Sequence, residues 1–469
     1  MLDRHIGLYT DMYQLTMGQA YVRDGTADTP AVFDYFFRRL PFDGGYVLFA
    51  GLDDVLGLLE RLRFDPDDLT YLASLGFDPG FLDYLRDFRF TGSVYSVREG
   101  DVVFPVEPVL RVEGRLFETQ LAETLLLNIL NFESLIATKA SRLRLAAGDR
   151  HLSEFGLRRA HGPGGILASR AAVVGGCDTT SDVYAAFRYG LRPAGTMAHS
   201  YVESHPDELA SFRAFAAAHP RTTILLVDTY DTLRSGVPNA ITVAREMKAR
   251  GENLVGVRLD SGDLAYLAKR TRRMLDEAGF PEVKIVASNL LDEQLIKSLL
   301  DQGAPIDVFG VGTRLATGAP DGALDGIYKL SSVAGRPCLK LSETMAKTTL
   351  PGRKKVVRFA AADGSFQADA VVLADEADVD LMFHPTEPGQ SLALGGLTGK
   401  ELLVEVMAGG KRLRPAEPVE AVARFARERL ARLPAEHRRF ENPHVYKVGL
   451  SRALRDLRDS LARGLTKEL

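Results

Sequence analysis

The chain has 469 residues, of which 46% are hydrophobic and 26% charged, a composition typical of a globular protein with two or three domains. Its formal net charge of -4 gives no reason to expect binding to nucleic acid or to an anionic membrane. The two cysteines, Cys177 and Cys338, are far apart and outside any CxxC spacing. That spacing argues against a disulfide framework or a structural zinc site and favours a reducing cytoplasm.

The N-terminal segment MLDRHIGLYTDMYQLTMGQAY alternates charged and apolar residues, so we expect neither a signal peptide nor a membrane anchor. Segment 31–62 predicts a strand, a turn and an apolar helix. Segment 93–114 alternates like antiparallel strands, and segment 118–148 predicts a long core helix.

The middle of the chain predicts repeated βαβ units. Short apolar runs of the kind found in buried parallel strands occur at 224–227, 254–259, 283–287 and 306–311. Three amphipathic helical patterns separate them, each closed by glycine. This order predicts either an α/β barrel or an open doubly wound sheet, and in both the ligand binds at the carboxyl ends of the strands.

Polar residues or glycines follow each of these four runs, in the sequences DTYD, DSGD, SN and GVGT. Asp, Ser and Asn also cap helices, so one such loop alone is ambiguous, but four in register favour a site. After the repeats, RKKVVRFAAADGSFQADAVVLAD predicts a hairpin about Asp363 and Gly364, and the tail from Glu417 predicts two arginine-rich helices.

Individual residues indicate binding of an anion. Arg258 lies inside an apolar run next to Asp260, where an unpaired charge would be costly, so it needs an acid partner or an anionic ligand. The pair of acids in VRLDSGD could hold Mg²⁺, position a sugar diol, or cap a helix. No GxxxxGK[ST] motif occurs, and GVGTRL lacks the third glycine of a dinucleotide-binding loop. His199, taken alone, would be read as a hydrogen-bonded structural histidine.

Six motifs together resemble the nicotinate phosphoribosyltransferase family and occur in the family order. They are TDMYQLTMGQAY, EFGLRRAHGPGG, GTMAHS, VDTYDTLRSGV, GVRLDSGDL and GVGTRL. The resemblance implies an α/β fold: an irregular α/β barrel of the type II phosphoribosyltransferases, joined to an α/β sandwich built from both chain ends. We therefore expect a sandwich with a C-terminal helical segment at 1–130 plus 340–469, and a barrel at 131–339 that carries the active site.

The same resemblance implies a cytoplasmic homodimer with active sites at the interface. Its reaction would convert nicotinate and phosphoribosyl pyrophosphate into nicotinate mononucleotide and pyrophosphate. Mg²⁺ would be the cofactor and ATP, hydrolysed in the reaction, a co-substrate. This is a salvage route to NAD.

The resemblance also assigns residues. It implies that His199 is phosphorylated by ATP and that Asp228 orients its ring. Nicotinate would be bound by Tyr13 of the neighbouring subunit together with Phe155, Arg158, Thr196 and Arg258. Phosphoribosyl pyrophosphate would be bound by Asp260, Ser261, Gly310, Gly312 and Thr313, with Asp260 the candidate ligand of Mg²⁺.

Asp178 and Asp182, near the expected base pocket, leave nicotinamide phosphoribosyltransferase as an alternative, because a carboxylate there would repel nicotinate and accept an amide. A non-catalytic phosphoribosyl-binding relative is a second alternative. Quinolinate phosphoribosyltransferase is disfavoured because its chain is shorter and has no phosphohistidine.

Overall fold

The computed structural model describes residues 4–341, 349–387 and 389–468. The chain forms two compact units: the split unit, residues 1–138 and 323–469, and the central unit, residues 139–322. The boundaries expected from sequence, 1–130 plus 340–469 and 131–339, follow the same arrangement but place the changeovers at different residues.

The strands are labelled in chain order. They are β1 Pro30–Phe37, β2 Val47–Leu48, β3 Ser93–Ser96, β4 Val102–Val103, β5 Leu110–Arg115, β6 His151–Glu154, β7 Thr179–Thr180, β8 Ile224–Leu226, β9 Gly256–Leu259, β10 Lys284–Ser288, β11 Val308–Val311, β12 Gly326–Val333, β13 Arg336–Pro337, β14 Lys354–Ala360, β15 Phe366–Leu373, β16 Leu381–Phe383, β17 Ser391–Ala393, β18 Thr398–Glu401, β19 Val404–Ala408, β20 Lys411–Arg412 and β21 Lys447–Leu450.

The helices are α1 Met12–Arg23, α2 Leu52–Leu59, α3 Pro66–Ser74, α4 Pro79–Arg86, α5 Leu116–Ala147, α6 Gly164–Val174, α7 Val183–Tyr189, α8 His199–Glu203, α9 Glu208–Ala218, α10 Val237–Ala249, α11 Leu264–Glu277, α12 Glu293–Asp301, α13 Thr313–Ala316, α14 Val419–Arg432 and α15 Arg452–Glu468.

The central unit is built on a parallel sheet in the order β7-β6-β11-β10-β9-β8. The four strands and three helices predicted between 224 and 311 are confirmed as β8 to β11 and α10 to α12. Because all the strands are parallel, their carboxyl ends meet at one edge, where the polar loops that follow them converge.

The split unit combines strands from both ends of the chain. Strand β1 pairs with β5 from the N-terminal segment and with β12 from the C-terminal segment, inside a seven-stranded antiparallel sheet. The predicted hairpin is confirmed as β14 and β15, which lie in a second, six-stranded sheet. The two predicted C-terminal helices are confirmed as α14 and α15.

The expected core helix is confirmed as α5. It is long and apolar enough to cross a membrane by length and composition, but 72% of its most apolar window is buried within the protein. Burial inside the protein explains its composition, as expected for the core helix of a large domain.

A buried charge cluster lies in the split unit. The guanidinium of Arg358 donates from Nε to Asp369 Oδ1 at 2.9 Å and from Nη1 to Asp101 Oδ1 at 2.9 Å, and Arg429 Nε donates to Asp101 Oδ1 at 2.8 Å. Burial, with the charge of nearby Asp369, raises the pKa of Glu107 well above its usual value. The two arginines are thus paired with two aspartates, and burial favours the protonated form of Glu107.

Candidate functional site

Arg258 is the centre of a polar cluster at the carboxyl edge of the central sheet. It projects from β9 with its side chain 13% exposed. Nε donates to Ser288 Oγ at 2.8 Å, and Nη2 donates to Asp260 Oδ1 at 2.8 Å. Nη1 makes longer contacts to Thr196 Oγ1 at 3.2 Å and the Met197 carbonyl at 3.4 Å. A guanidinium has five N–H groups, so one on Nη2 has no acceptor among the described residues, and the two longer contacts are the easiest to replace.

The aromatic ring of Phe155 lies beside the guanidinium of Arg258. The guanidinium carbon lies 5.7 Å from the centroid of the Phe155 ring, within range of a cation–π interaction. The ring lies against Gly310 in β11, so closely that a Cβ on that glycine would come within 2.5 Å of ring carbon Cε2. At Gly312 a Cβ would lie 3.0 Å from the Phe155 carbonyl oxygen. The glycines of GVGT therefore make room for Phe155 in this structure.

Asp260 links Arg258 to the histidine. Its Oδ1 accepts hydrogen bonds from Arg258 and Ser288, while Oδ2 lies 3.8 Å from His199 Nε2. Partial burial by itself would raise the pKa of Asp260, but the hydrogen bond from Ser288 and the charge and hydrogen bond of Arg258 outweigh it, so the pKa lies below its ordinary value. Asp260 is thus an anion with one oxygen, Oδ2, turned towards His199.

His199 begins α8 with its side chain 41% exposed. Its Nδ1 lies 3.1 Å from the hydroxyl oxygen of Thr229, the third residue of the motif VDTYD. The expected contact between Asp228 and this ring is not formed among the residues that the structure describes. Asp228 Oδ2 instead accepts from the Asp260 amide at 2.9 Å and the Ser261 hydroxyl at 2.6 Å. Asp228 therefore braces the loop after β9, and its Oδ1 is buried without a hydrogen bond within the described chain.

The other predicted residues differ in their surroundings. Arg158 is exposed in the short turn Leu157–Arg159 and makes no hydrogen bond with the described residues. Thr313 opens α13 directly after Gly312. Tyr13 belongs to the split unit, where its 47% exposed side chain donates from its hydroxyl to Glu123 at 3.1 Å. Burial, helped by Glu123, raises the pKa of Tyr13 to about 12.

Asp178 and Asp182, the two aspartates that left nicotinamide as an alternative substrate, are each hydrogen-bonded within the protein. Asp182 is 1% exposed and caps α7, where Oδ1 accepts from the Ala185 amide at 3.0 Å. Asp178 accepts from Arg144 at 2.5 Å and from the Leu152 amide at 2.8 Å. The carboxylate of Asp182 thus caps a helix, and the carboxylate of Asp178 forms an ion pair with Arg144.

Three further residues of the cluster were not assigned from sequence. Thr229 and Ser288 stand in the loops that the strand pattern had already marked, but nothing in the sequence distinguishes their contacts. Glu154 opens the motif EFGLRRAHGPGG and is 1% exposed, accepting hydrogen bonds from Thr180 at 2.6 Å and Ser169 at 3.0 Å. A buried glutamate next to Phe155 fixes the start of that loop.

Comparison with known proteins identifies the family of this chain. Models of the nicotinate phosphoribosyltransferase (NAPRTase) N-terminal domain, family and C-terminal domain match residues 8–131, 150–373 and 353–458. The chain belongs to the nicotinate phosphoribosyltransferase family.

Individual relatives match over nearly their whole length. The chain is 44% identical to nicotinate phosphoribosyltransferase from Bacillus subtilis, over 96% of this chain and 94% of that one. It is 36% identical to the Homo sapiens protein of the same name, over 97% of both chains. The crystal structure of the human nicotinic acid phosphoribosyltransferase superposes with a TM-score of 0.87 at 34% identity, covering 96% of this chain and 99% of that one. The predicted type II phosphoribosyltransferase fold and the enzyme class are confirmed.

Proposed function

We propose that this enzyme forms nicotinate mononucleotide and pyrophosphate from nicotinate and phosphoribosyl pyrophosphate, with hydrolysis of ATP, in NAD salvage. The observation that supports the substrate assignment is Arg258, held beside the Phe155 ring with one Nη2 N–H that has no acceptor in the described part of the chain. An aromatic carboxylate suits this pair, because the ring can pack on Phe155 while the carboxylate takes the guanidinium donors of Arg258. Thr196 accepts from Nη1 at 3.2 Å, which is a long hydrogen bond. The substrate carboxylate would either replace the Thr196 hydroxyl at Nη1 or bind beside it.

Nicotinate is favoured over nicotinamide by the same cluster. A pocket for the amide would need an acceptor for its N–H groups, but Asp182 already caps α7 and Asp178 is paired with Arg144. The charged group beside the proposed position of the pyridine ring is Arg258, and its positive charge attracts the carboxylate of nicotinate. In this proposal Tyr13 of a second subunit covers the pyridine ring, and Arg158, exposed in the turn that follows Phe155, binds the base or the pyrophosphate.

Asp260, Ser261, Gly312 and Thr313 would hold the phosphoribosyl group. The Asp260 carboxylate and the Ser261 hydroxyl can bind the ribose hydroxyls, and the backbone N–H groups around Gly312 can bind the 5-phosphate. Gly310 would serve by admitting Phe155. Asp260 Oδ2 and Asp228 Oδ1, which accept no hydrogen bond within the described chain, fit Mg²⁺, which binds through one or two carboxylates plus substrate phosphates. Bound there, Mg²⁺ would neutralise charge on the pyrophosphate leaving group.

Within the transfer step this chain's residues orient and stabilise. As pyrophosphate leaves, the ribose carbon gains oxocarbenium character, and the anionic Asp260 lies where it can stabilise that positive charge. Arg258 and Phe155 fix the direction of the pyridine nitrogen towards that carbon. Positioning of two reactants in this way supplies much of the rate enhancement in such displacements.

His199 is the proposed acceptor of the γ-phosphoryl group of ATP. Its 41% exposed side chain makes the ring accessible, and its neighbours Gly195, Ala198 and Ser200 are small. A phosphate on the ring adds about -1.5 to -2 charges beside the cluster, so the electrostatics of the site would differ between the phosphorylated and the unphosphorylated enzyme. We further propose that the enzyme works as a cytoplasmic homodimer with active sites at the interface.

The deciding experiment is a steady-state assay with phosphoribosyl pyrophosphate and Mg²⁺, offering nicotinate or nicotinamide, with and without ATP. Faster turnover of nicotinamide would refute the substrate assignment, and no turnover of either would favour a phosphoribosyl-binding relative without catalysis. In His199→Ala we expect ATP hydrolysis and its stimulation of transfer to disappear while slow ATP-independent transfer remains. Unchanged ATP coupling in that variant, or a phosphate mapped to another residue, would refute the role of His199.

A further inference from the structure

Tyr13 is exposed on α1, yet its hydroxyl is tied to a buried carboxylate. The residue is 47% exposed, and its Oη donates to Glu123 Oε2 at 3.1 Å. The same carboxylate oxygen accepts from Gln14 Nε2 at 2.7 Å and from Gln120 Nε2 at 3.1 Å, and Gln120 also donates to Gln14 Oε1 at 2.9 Å. Gln14 and Glu123 are both buried. The acceptor for the Tyr13 hydroxyl is therefore itself held in place by two side-chain amides.

The segment that leads into α1 is docked on one face of α5. Tyr9 Oη donates to Asn128 Oδ1 at 2.6 Å. The Thr124 hydroxyl accepts from the Asp11 amide at 3.3 Å and donates to Asp11 Oδ2 at 2.8 Å. Gln120, Thr124 and Asn128 are four residues apart along α5, so they lie on one face of the helix. The segment therefore follows α5 for about two helical turns.

Two features of α1 favour this docking at the expense of local helix stability. Asp11 is the N-cap residue of α1, but its side chain makes no capping hydrogen bond among the described residues and accepts from Thr124 instead. Further along α1, a Cβ on Gly18 would lie 2.2 Å from a ring carbon of Phe117, so glycine at this position lets α1 pack directly on α5. An unused cap and an interior glycine both weaken an isolated helix. The position of Tyr13 is thus set by α5.

The hydrogen bond to Glu123 limits what Tyr13 can contribute to a binding site. Burial, helped by the charge of Glu123, raises the pKa of Tyr13 to about 12, so at neutral pH the hydroxyl stays protonated and donates. With its hydroxyl engaged, the tyrosine offers a ligand the exposed face of its ring. The ring is also held in one orientation before a ligand arrives, so a ligand that packs on it does not have to immobilise it first.

We propose that Glu123 is a positioning residue for Tyr13, which it holds in the orientation that covers the pyridine ring of nicotinate in the active site of a second subunit. This role rests on the proposed function, in which Tyr13 of a second subunit covers that ring. Tyr13 then acts through its ring face while its hydroxyl remains bonded to Glu123 of its own subunit.

The test uses three variants: Glu123→Ala removes the acceptor, Glu123→Gln keeps an oxygen that can accept, and Tyr13→Phe removes only the hydroxyl. KM for nicotinate should rise about 2- to 12-fold in Glu123→Ala and in Tyr13→Phe, the effect of ordering one free side chain on binding, and stay within about two-fold of wild type in Glu123→Gln. KM for phosphoribosyl pyrophosphate should not change. The double variant Glu123→Ala with Tyr13→Phe should be no worse than Glu123→Ala, because both changes remove the same contact.

Tyr84→Phe is the matched control. It removes a tyrosine–carboxylate hydrogen bond of the same length in the same unit, from Tyr84 Oη to Asp28 Oδ1 at 3.1 Å. That variant should keep the wild-type KM for nicotinate. If Glu123→Ala does not fold, Tyr13→Phe still tests the tether, because it changes only an exposed residue of α1.

A second measurement reports the contact without relying on activity. In ¹³C spectra of protein labelled at tyrosine Cζ, with Tyr13→Phe to identify the signal, the Tyr13 shift should change in Glu123→Ala and stay near normal in Glu123→Gln. An unchanged shift in Glu123→Ala, a wild-type KM for nicotinate in either Glu123→Ala or Tyr13→Phe, or an equal rise in Tyr84→Phe would overturn the proposal.

Tyr13→Ala separates failure of this proposal from failure of the proposed function. If removal of the whole ring raises KM for nicotinate while Glu123→Ala and Tyr13→Phe do not, only the role of Glu123 fails. If Tyr13→Ala also leaves KM for nicotinate unchanged, Tyr13 does not cover the pyridine ring, and both proposals for these residues fail.

Discussion

Replacing Gly310 by alanine should damage the site through Phe155. The new methyl carbon would lie 2.5 and 2.6 Å from two ring carbons, about 1 Å shorter than an ordinary contact between carbon atoms. The Phe155 backbone cannot easily retreat, because its amide donates to the Val311 carbonyl at 2.7 Å. The ring must therefore rotate away from Gly310, and with it from Arg258.

Overpacking of this kind typically costs about 1 to 3 kcal/mol. If nicotinate binding needs the ring in its original place against Gly310, the cost is incurred only in the complex, and kcat/KM for nicotinate should fall about 5- to 150-fold. We expect the midpoint of urea unfolding to change little, because a side-chain rotation relieves the clash. Gly80→Ala is the matched control, since a Cβ there has no heavy atom within 4 Å.

The assay is steady-state kinetics for Gly310→Ala, Phe155→Leu and the double variant. Because leucine lacks the Cε2 atom and its flexible Cδ groups can turn away from the new methyl group, the double variant should be little worse than Phe155→Leu alone. Full activity in Gly310→Ala, or losses that simply add in the double variant, would refute the reasoning, since residues in contact should couple.

Three other predictions follow from individual contacts. Ser288→Ala removes a hydrogen bond that lowers the pKa of Asp260, so the acid limb of kcat/KM should move to higher pH; an unmoved limb would contradict this. In Glu107→Gln, thermal stability relative to wild type should rise as pH increases above about 4.5, because wild type loses stability as pH rises towards the raised folded-state pKa of Glu107; a stability relative to wild type that stays constant or falls over this range would contradict it. Asp182→Ala should lower the free energy of unfolding by about 1 kcal/mol through loss of a helix cap, without a switch to nicotinamide, and Asp182→Asn should keep most of it.

Local patterns in the sequence were sufficient for much of this protein. The runs at 224–311 predicted β8 to β11 because buried parallel strands are apolar along their whole length, and the polar residues after them marked the edge where the cluster forms. Arg258 was expected to need an anionic partner because of the cost of burying an unpaired charge, and it is paired with Asp260.

Contacts between loops that are distant in the chain required the tertiary structure. Asp228 and Thr229 are neighbours in VDTYD, and motif matching selected the acid, yet the backbone turns the hydroxyl to His199 and the carboxylate to the Asp260 loop. From the sequence, Asp182 could either point towards the base pocket or cap a helix. In the structure its carboxylate caps the start of α7. The sequence shows which polar groups are present at the edge of the sheet. Which of them form hydrogen bonds with one another depends on side-chain directions, and only the packed chain determines those.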